Sequence, residues 1–223
     1  MNATLTANQT QTEFILRRLH SLSGLIPLGA FLVFHLSANN AAVNSPQAFN
    51  AVVNFLRGLP HVKVLEFGLI FFPFLFHGLY GLIITPQFAR TKLGEYSKVR
   101  SLTYYLQRVT GIIAFVFIAV HVWQFWTVED LDYEVVASSL RQPAWAIAYL
   151  VGILSIVYHF ANGLWNFLIS WGFTVGEKAQ KISGAVCSAL GVVVLAIGLS
   201  ALWTFYSSAP SHANAQIGKC GIN

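Results

Sequence analysis

The sequence predicts an all-α integral membrane bundle of five transmembrane helices, and three observations carry that expectation. Only 9% of the 223 residues are charged, while 56% are hydrophobic; ordinary soluble domains carry about 25% charged residues. Five apolar stretches are each long enough to cross about 30 Å of hydrocarbon at about 1.5 Å per residue. Peptide groups in lipid have no water to bond, so each stretch must satisfy its own as a helix.

The spans are expected at residues 18–38, 62–85, 104–127, 144–171 and 182–206. Residues 1–206 read as one membrane domain and 207–223 as a polar tail, with no internal repeat. The polar start, MNATLTANQTQTEF, lacks the basic run, short apolar core and cleavage site of a signal peptide, so none is expected. Orientation follows from Lys and Arg. With the amino terminus inside, the inner segments hold Arg17, Arg18, Arg90, Lys92, Lys98, Arg100, Arg108, Lys178 and Lys181. The outer ones hold only Arg57, Lys63, Arg141 and Lys219. The amino terminus is therefore expected in the cytoplasm and the carboxyl terminus outside. The net charge of +5 then lies largely on the inner face, available to anionic membrane lipid or a docked soluble partner. Nucleic acid is excluded as a partner, because no basic stripe is interleaved with exposed aromatics. Cys187 and Cys220 are far apart and outside any C-x-x-C-H arrangement, so neither a disulfide framework nor covalent haem attachment is expected.

Four histidines, His35, His77, His121 and His159, stand one to a span in the first four spans. Imidazole is costly to bury in hydrocarbon, so such residues face the bundle interior and ligate, relay or pair. The first span runs outward, which puts His35, seventeen residues past Arg18, about 25 Å along it. His121, thirteen past Arg108, reaches a similar outer level. The second and fourth spans run inward, so His77 and His159 lie nearer the cytoplasm. Depth sorts the four into an outer pair, His35 with His121, and an inner pair, His77 with His159. Two imidazoles facing each other across a bundle are axial ligands for a b-type haem. The pattern thus predicts two haems b and one-electron transfer.

Other polar residues are placed by helical projection. Glu66 precedes His77 by eleven residues, which projects it within about 20° of the same face and about 16 Å outward. There it could exchange protons with a redox substrate; the alternative is a pair with Lys63 at the interface. Arg17 projects to the face of His35 at the cytoplasmic edge and is a candidate partner for haem propionates. His20 is a candidate for a propionate contact, an inner pocket or a structural role at the interface, and Asn166 for a propionate or a neighbouring helix. His61 and His212 receive no role, and the tryptophans gather at span ends as an aromatic belt.

With these residues in hand, the chain resembles the di-haem cytochrome b membrane anchor of bacterial succinate dehydrogenase and fumarate reductase. The likeness runs from RRLHSLSGLIPLGAFLVFHL through LEFGLIFFPFLFHGLYG, LQRVTGIIAFVFIAVHVW and VYHFANGLWNF. It implies His77 and His159 on the inner haem iron, His35 and His121 on the outer, and Glu66 as the acidic second-helix residue of an outer quinone site. It implies cytoplasmic flavoprotein and iron-sulphur partner subunits, a quinone substrate of the menaquinone type, and a multi-pass place in the bacterial cytoplasmic membrane. The chain is then a non-flavin subunit of a succinate dehydrogenase (quinone) or fumarate reductase, not acting on succinate alone. Some fumarate-reducing members carry an acidic residue two positions before the fourth-helix histidine; Val157 stands there, which argues against a proton path of that kind. Two competing functions remain at this stage. One is the cytochrome b of another respiratory oxidoreductase, where two ligands commonly share a helix. The other is a haem-free proton-coupled transporter.

Overall fold

The computed structural model describes residues 2–86 and 98–209. Arg90, Lys92 and the tail from residue 210 lie outside these. Among the described residues the chain is helical and without strands, and five helical runs are long and apolar enough to cross a membrane: Gln11–Val43, Val62–Ile84, Ser101–Phe125, Pro143–Ser170 and Glu177–Ser207. These coincide with the five expected spans.

The first run is composite. Helix α1 (Asn2–Ser23) widens into a π turn at Gly24–Gly29, continues as α2 (Ala30–Asn39) and ends in a 3-10 turn at Asn40–Val43. The second run starts with α4 (Val62–Leu65), widens at Glu66–Phe71 and continues as α5 (Phe72–Ile84). A proline accompanies each wide turn, Pro27 inside the first and Pro73 at the start of α5. Proline lacks the N–H of the i→i−4 ladder and its ring crowds the carbonyl four residues earlier, so the ladder locally relaxes to i→i−5 spacing. The Phe72 amide accordingly bonds the Phe67 carbonyl. The two wide turns pack against each other in the middle of the bundle.

The remaining spans are α6 (Lys98–Phe125), α8 (Pro143–Ser170) and α9 (Glu177–Ser207). Helix α8 is central and packs on both α6 and α9, while α1 lies on α5 and α2 on α9. Two shorter helices, α3 (Pro46–Arg57) and α7 (Tyr133–Leu140), close the end of the bundle at which α2 and α6 finish. Their starts follow from capping chemistry. Ser45 Oγ accepts the Ala48 amide and Asp132 Oδ1 the Val135 amide. Asn50 Oδ1 accepts the Tyr133 amide and so ties α3 to α7.

The most buried cluster lies beneath this cap, where Phe49, Tyr133, Val136, Ala137, Leu140, Tyr149, Val194, Leu202 and Phe205 meet. Elsewhere the bundle exposes apolar side chains outward. The second run shows this most clearly, with Phe67, Phe72 and Leu79 exposed, as a lipid-facing helix requires. Arg57 donates to the carbonyls of Val128 and Glu129, and Arg141 pairs with Glu134 and reaches Ala209, so the cationic residues at this end serve loop closure.

Candidate functional site: two imidazole pairs

Helices α2, α5, α6 and α8 bring the four span histidines together in two couples. The ring centroids of His77 and His159 lie 6.1 Å apart with planes crossed at 86°, and those of His35 and His121 5.7 Å apart at 76°. A metal gripped from both sides by imidazole nitrogens at about 2 Å would separate the ring centres by about 6 Å. Both separations are therefore of the size that a shared iron requires.

The His77–His159 pair is held largely by backbone. His77 Nδ1 lies 2.9 Å from the His20 carbonyl, and His159 Nδ1 lies 2.9 Å from the Gln107 carbonyl. A carbonyl only accepts, so each ring carries its proton on Nδ1 and leaves Nε2 with a free lone pair, the arrangement found in metal-ligating histidines. The Gln107 side chain stitches the same place, donating to the His159 carbonyl at 3.1 Å and accepting from Asn162 at 2.7 Å. Two glycines make room for the rings. A Cβ on Gly24 would stand 2.2 Å from His77 Cε1, and one on Gly111 2.8 Å from His159 Cε1. At both positions the missing side chain admits the imidazole itself.

His20 belongs to this group more closely than its position in the sequence implies. Its ring stacks flat on His77, centroids 4.0 Å apart and planes within 8°, and its Nδ1 is buried with no hydrogen-bond partner. The Tyr158 hydroxyl, on the residue next to His159, is likewise buried and unpartnered. The orphaned His20 nitrogen beside the imidazole pair fits a cofactor that brings hydrogen-bonding groups of its own.

At the other pair the contacts come from side chains. His121 Nδ1 lies 2.9 Å from the Tyr149 phenol, whose hydroxyl donates to Gln124 Oε1 at 2.9 Å. His35 has the Asn39 amide 3.4 Å from its Nε2, a long contact, while the same amide bonds the His35 carbonyl at 2.9 Å.

The remaining candidates are more scattered. Glu66 pairs with Lys63 at 2.9 Å, with 32% of the Glu66 side chain and 72% of the Lys63 side chain exposed. The projection that put Glu66 on the His77 face assumed an unbroken α-helix. The intervening π turn acts as about one extra residue and rotates the relation by about 100°. The Arg17–His35 projection crosses the other π turn and changes in the same way. Arg17 is half-buried in α1, and its neighbour Arg18 lies 4.7 Å from the centre of the Trp171 ring. Asn166 is exposed, whereas Asn162, one turn earlier, enters the His159 network. Val157, at the position where some relatives of the resembled family carry an acid, is 3% exposed among apolar neighbours. Trp126 packs on Phe67 and Phe71 and faces the Lys63 ammonium at 5.4 Å, so this tryptophan ties α6 to the second run besides lying at a span end.

Sequence reasoning passed over Gln107, Gln124, Tyr149 and Asn162. The available signal was their polarity inside apolar spans, where such groups bond across helices.

Comparison with known proteins gives the arrangement a lineage. The family model described as succinate dehydrogenase/fumarate reductase transmembrane subunit matches residues 85–199. The succinate dehydrogenase cytochrome b558 subunit of Bacillus subtilis is 40% identical over 197 residues, covering 86% of this chain and 97% of the relative. The succinate dehydrogenase hydrophobic membrane anchor subunit of Thermoplasma acidophilum is 28% identical over 111 residues, covering 47% of this chain and 85% of that protein. The chain is a multi-pass membrane protein that belongs to the succinate dehydrogenase/fumarate reductase transmembrane subunit family.

Proposed function

We propose that the chain is the membrane anchor and electron-transfer subunit of a succinate:quinone oxidoreductase, set in the bacterial cytoplasmic membrane with its amino terminus inside. The observation that carries this reading is the meeting of four histidines, one per helix, as couples with centroids 5.7 and 6.1 Å apart at two levels of one bundle. The Bacillus relative's name, a cytochrome b558 subunit, supports a b-type haem. His77 and His159 would hold the inner haem and His35 and His121 the outer one, with Arg17, His20 and Asn166 as candidate propionate contacts. When bound, the two haems would supply one-electron carriers at two depths.

The chain's own residues do the rest. Carbonyls at His20 and Gln107 aim the inner rings, and the bundle interior keeps water from the imidazoles. The basic inner face would dock an iron-sulphur subunit that itself carries a flavoprotein. On the outer side, an open groove lined by Val122, Trp123, Gln124 and Trp126 adjoins the Lys63–Glu66 pair through Trp126. A quinone of the menaquinone type would lie there, with Glu66 exchanging the protons that accompany its reduction.

Single replacements in the assembled complex test the pairing. His77→Ala or His159→Ala should remove one component of the reduced-minus-oxidised cytochrome spectrum, and His35→Ala or His121→Ala the other. Retention of both components in every variant overturns the reading.

A further inference from the structure

We propose that Tyr149 and Gln124 are positioning residues for the outer iron ligand, holding His121 in the single neutral tautomer that can bind a metal. This rests on the reading of His35 and His121 as a ligand pair. Tyr149 links Gln124 to His121 in a chain of three groups with a fixed supply of protons. Tyr149 has one hydroxyl proton, and that proton goes to Gln124 Oε1 at 2.9 Å, an amide oxygen that can only accept. The phenol oxygen is then left as an acceptor toward His121 Nδ1, also at 2.9 Å. The imidazole must supply the proton of that bond, so its Nδ1 is protonated and its Nε2 lone pair is free for a metal.

The geometry is built to keep the phenol in place. Tyr149 is 8% exposed, belongs to the buried cluster under the α3–α7 cap and meets the Phe117 ring edge-on at 5.2 Å and 90°. Gln124 follows His121 by three residues on α6. The ligand and the residue that orients its partner therefore share one face of one helix, with Tyr149 of α8 bridging them. At His121 side chains alone meet Nδ1, whereas His77 has a carbonyl there and His159 a carbonyl at 2.9 Å with the Gln107 side-chain amide at 3.2 Å. No substitution removes the carbonyls. A hydrogen-bond acceptor on Nδ1 also makes the ring a stronger donor through Nε2, which favours the oxidised metal.

The test is a redox titration of the reduced-minus-oxidised spectrum of the intact complex, with haem content measured alongside. Tyr149→Phe keeps the ring and its packing but removes the acceptor. The outer component should shift to higher potential and be retained about 10-fold less tightly, while the inner component stays unchanged. Gln124→Leu should do the same, because a freed phenol can donate to Nδ1 and force the wrong tautomer. Gln124→Glu, an acceptor still, should preserve the outer component. An outer component unaltered in Tyr149→Phe overturns the proposal. If Tyr149→Phe fails to assemble, the two Gln124 variants decide, and equal behaviour of Leu and Glu overturns it. His121→Ala serves as reference. If it removes the outer component, the ligand reading stands and Tyr149→Phe judges the relay alone; if it does not, the ligand reading itself has failed.

Discussion

The two imidazole pairs do the same geometric job by different means. At His77–His159 the rings are aimed by backbone carbonyls and seated against Gly24 and Gly111, so the aim is a property of the helices. At His35–His121 the contacts are side chains, Tyr149, Gln124 and Asn39, on the margin of the most buried cluster. A site held by main chain is hard to adjust by mutation and easy to break by crowding. A site held by side chains can be adjusted one bond at a time. On the proposed function, the first would suit a fixed relay next to a soluble partner and the second a relay matched to a lipid-borne substrate.

Crowding should therefore break the first pair most severely. Gly24→Ala would place a Cβ 2.2 Å from the His77 ring. Neither that ring, pinned by its Nδ1 bond, nor the π turn that carries Gly24 can yield by so much, and the expected outcome is near-complete loss of the inner cytochrome component with the outer one retained. Pyridine haemochrome content and the difference spectrum measure this. Gly111→Val should act in the same direction through His159.

The next largest effect falls on turnover. Glu66→Gln should keep both cytochrome components yet lose quinone reduction, as assayed with a soluble menaquinone analogue; normal turnover would remove Glu66 from the outer site. Smaller still is Asn162→Leu, which strips one cross-helix bond from the Gln107–His159 network. It should cost about 1 kcal/mol in thermal stability without removing a haem, since the carbonyl that aims His159 is untouched. Lys63→Ala should change stability by less than about 0.5 kcal/mol, because exposed ion pairs contribute little. A larger loss would show that its contact with Trp126 anchors α6.

The five spans were legible because hydrocarbon imposes one solution on the backbone, and length and polarity reveal where it applies. The couples of histidines were legible for a related reason. Alternating helix directions convert sequence position into depth, and His35 with His121 and His77 with His159 do meet in the structure. What could not be read was rotation. Helical projection carried Glu66 to the His77 face and Arg17 to the His35 face across turns that are not α-helical. Pro27 and Pro73 were the visible warnings, yet a proline alone does not reveal whether a helix kinks or widens. Gln107 was hidden by its neighbour Arg108, which marks the span's end, and Tyr149 by belonging to an apolar cluster.

The paired wide turns at Gly24–Gly29 and Glu66–Phe71 reach beyond their own neighbourhood. Each acts as a phase shifter, setting the angular offset between the upper and lower halves of its helix by the width of one residue. Shortening both by a residue would restore ordinary helices that still cross the lipid, still pass every test of hydropathy, and present half of their side chains to the wrong neighbours.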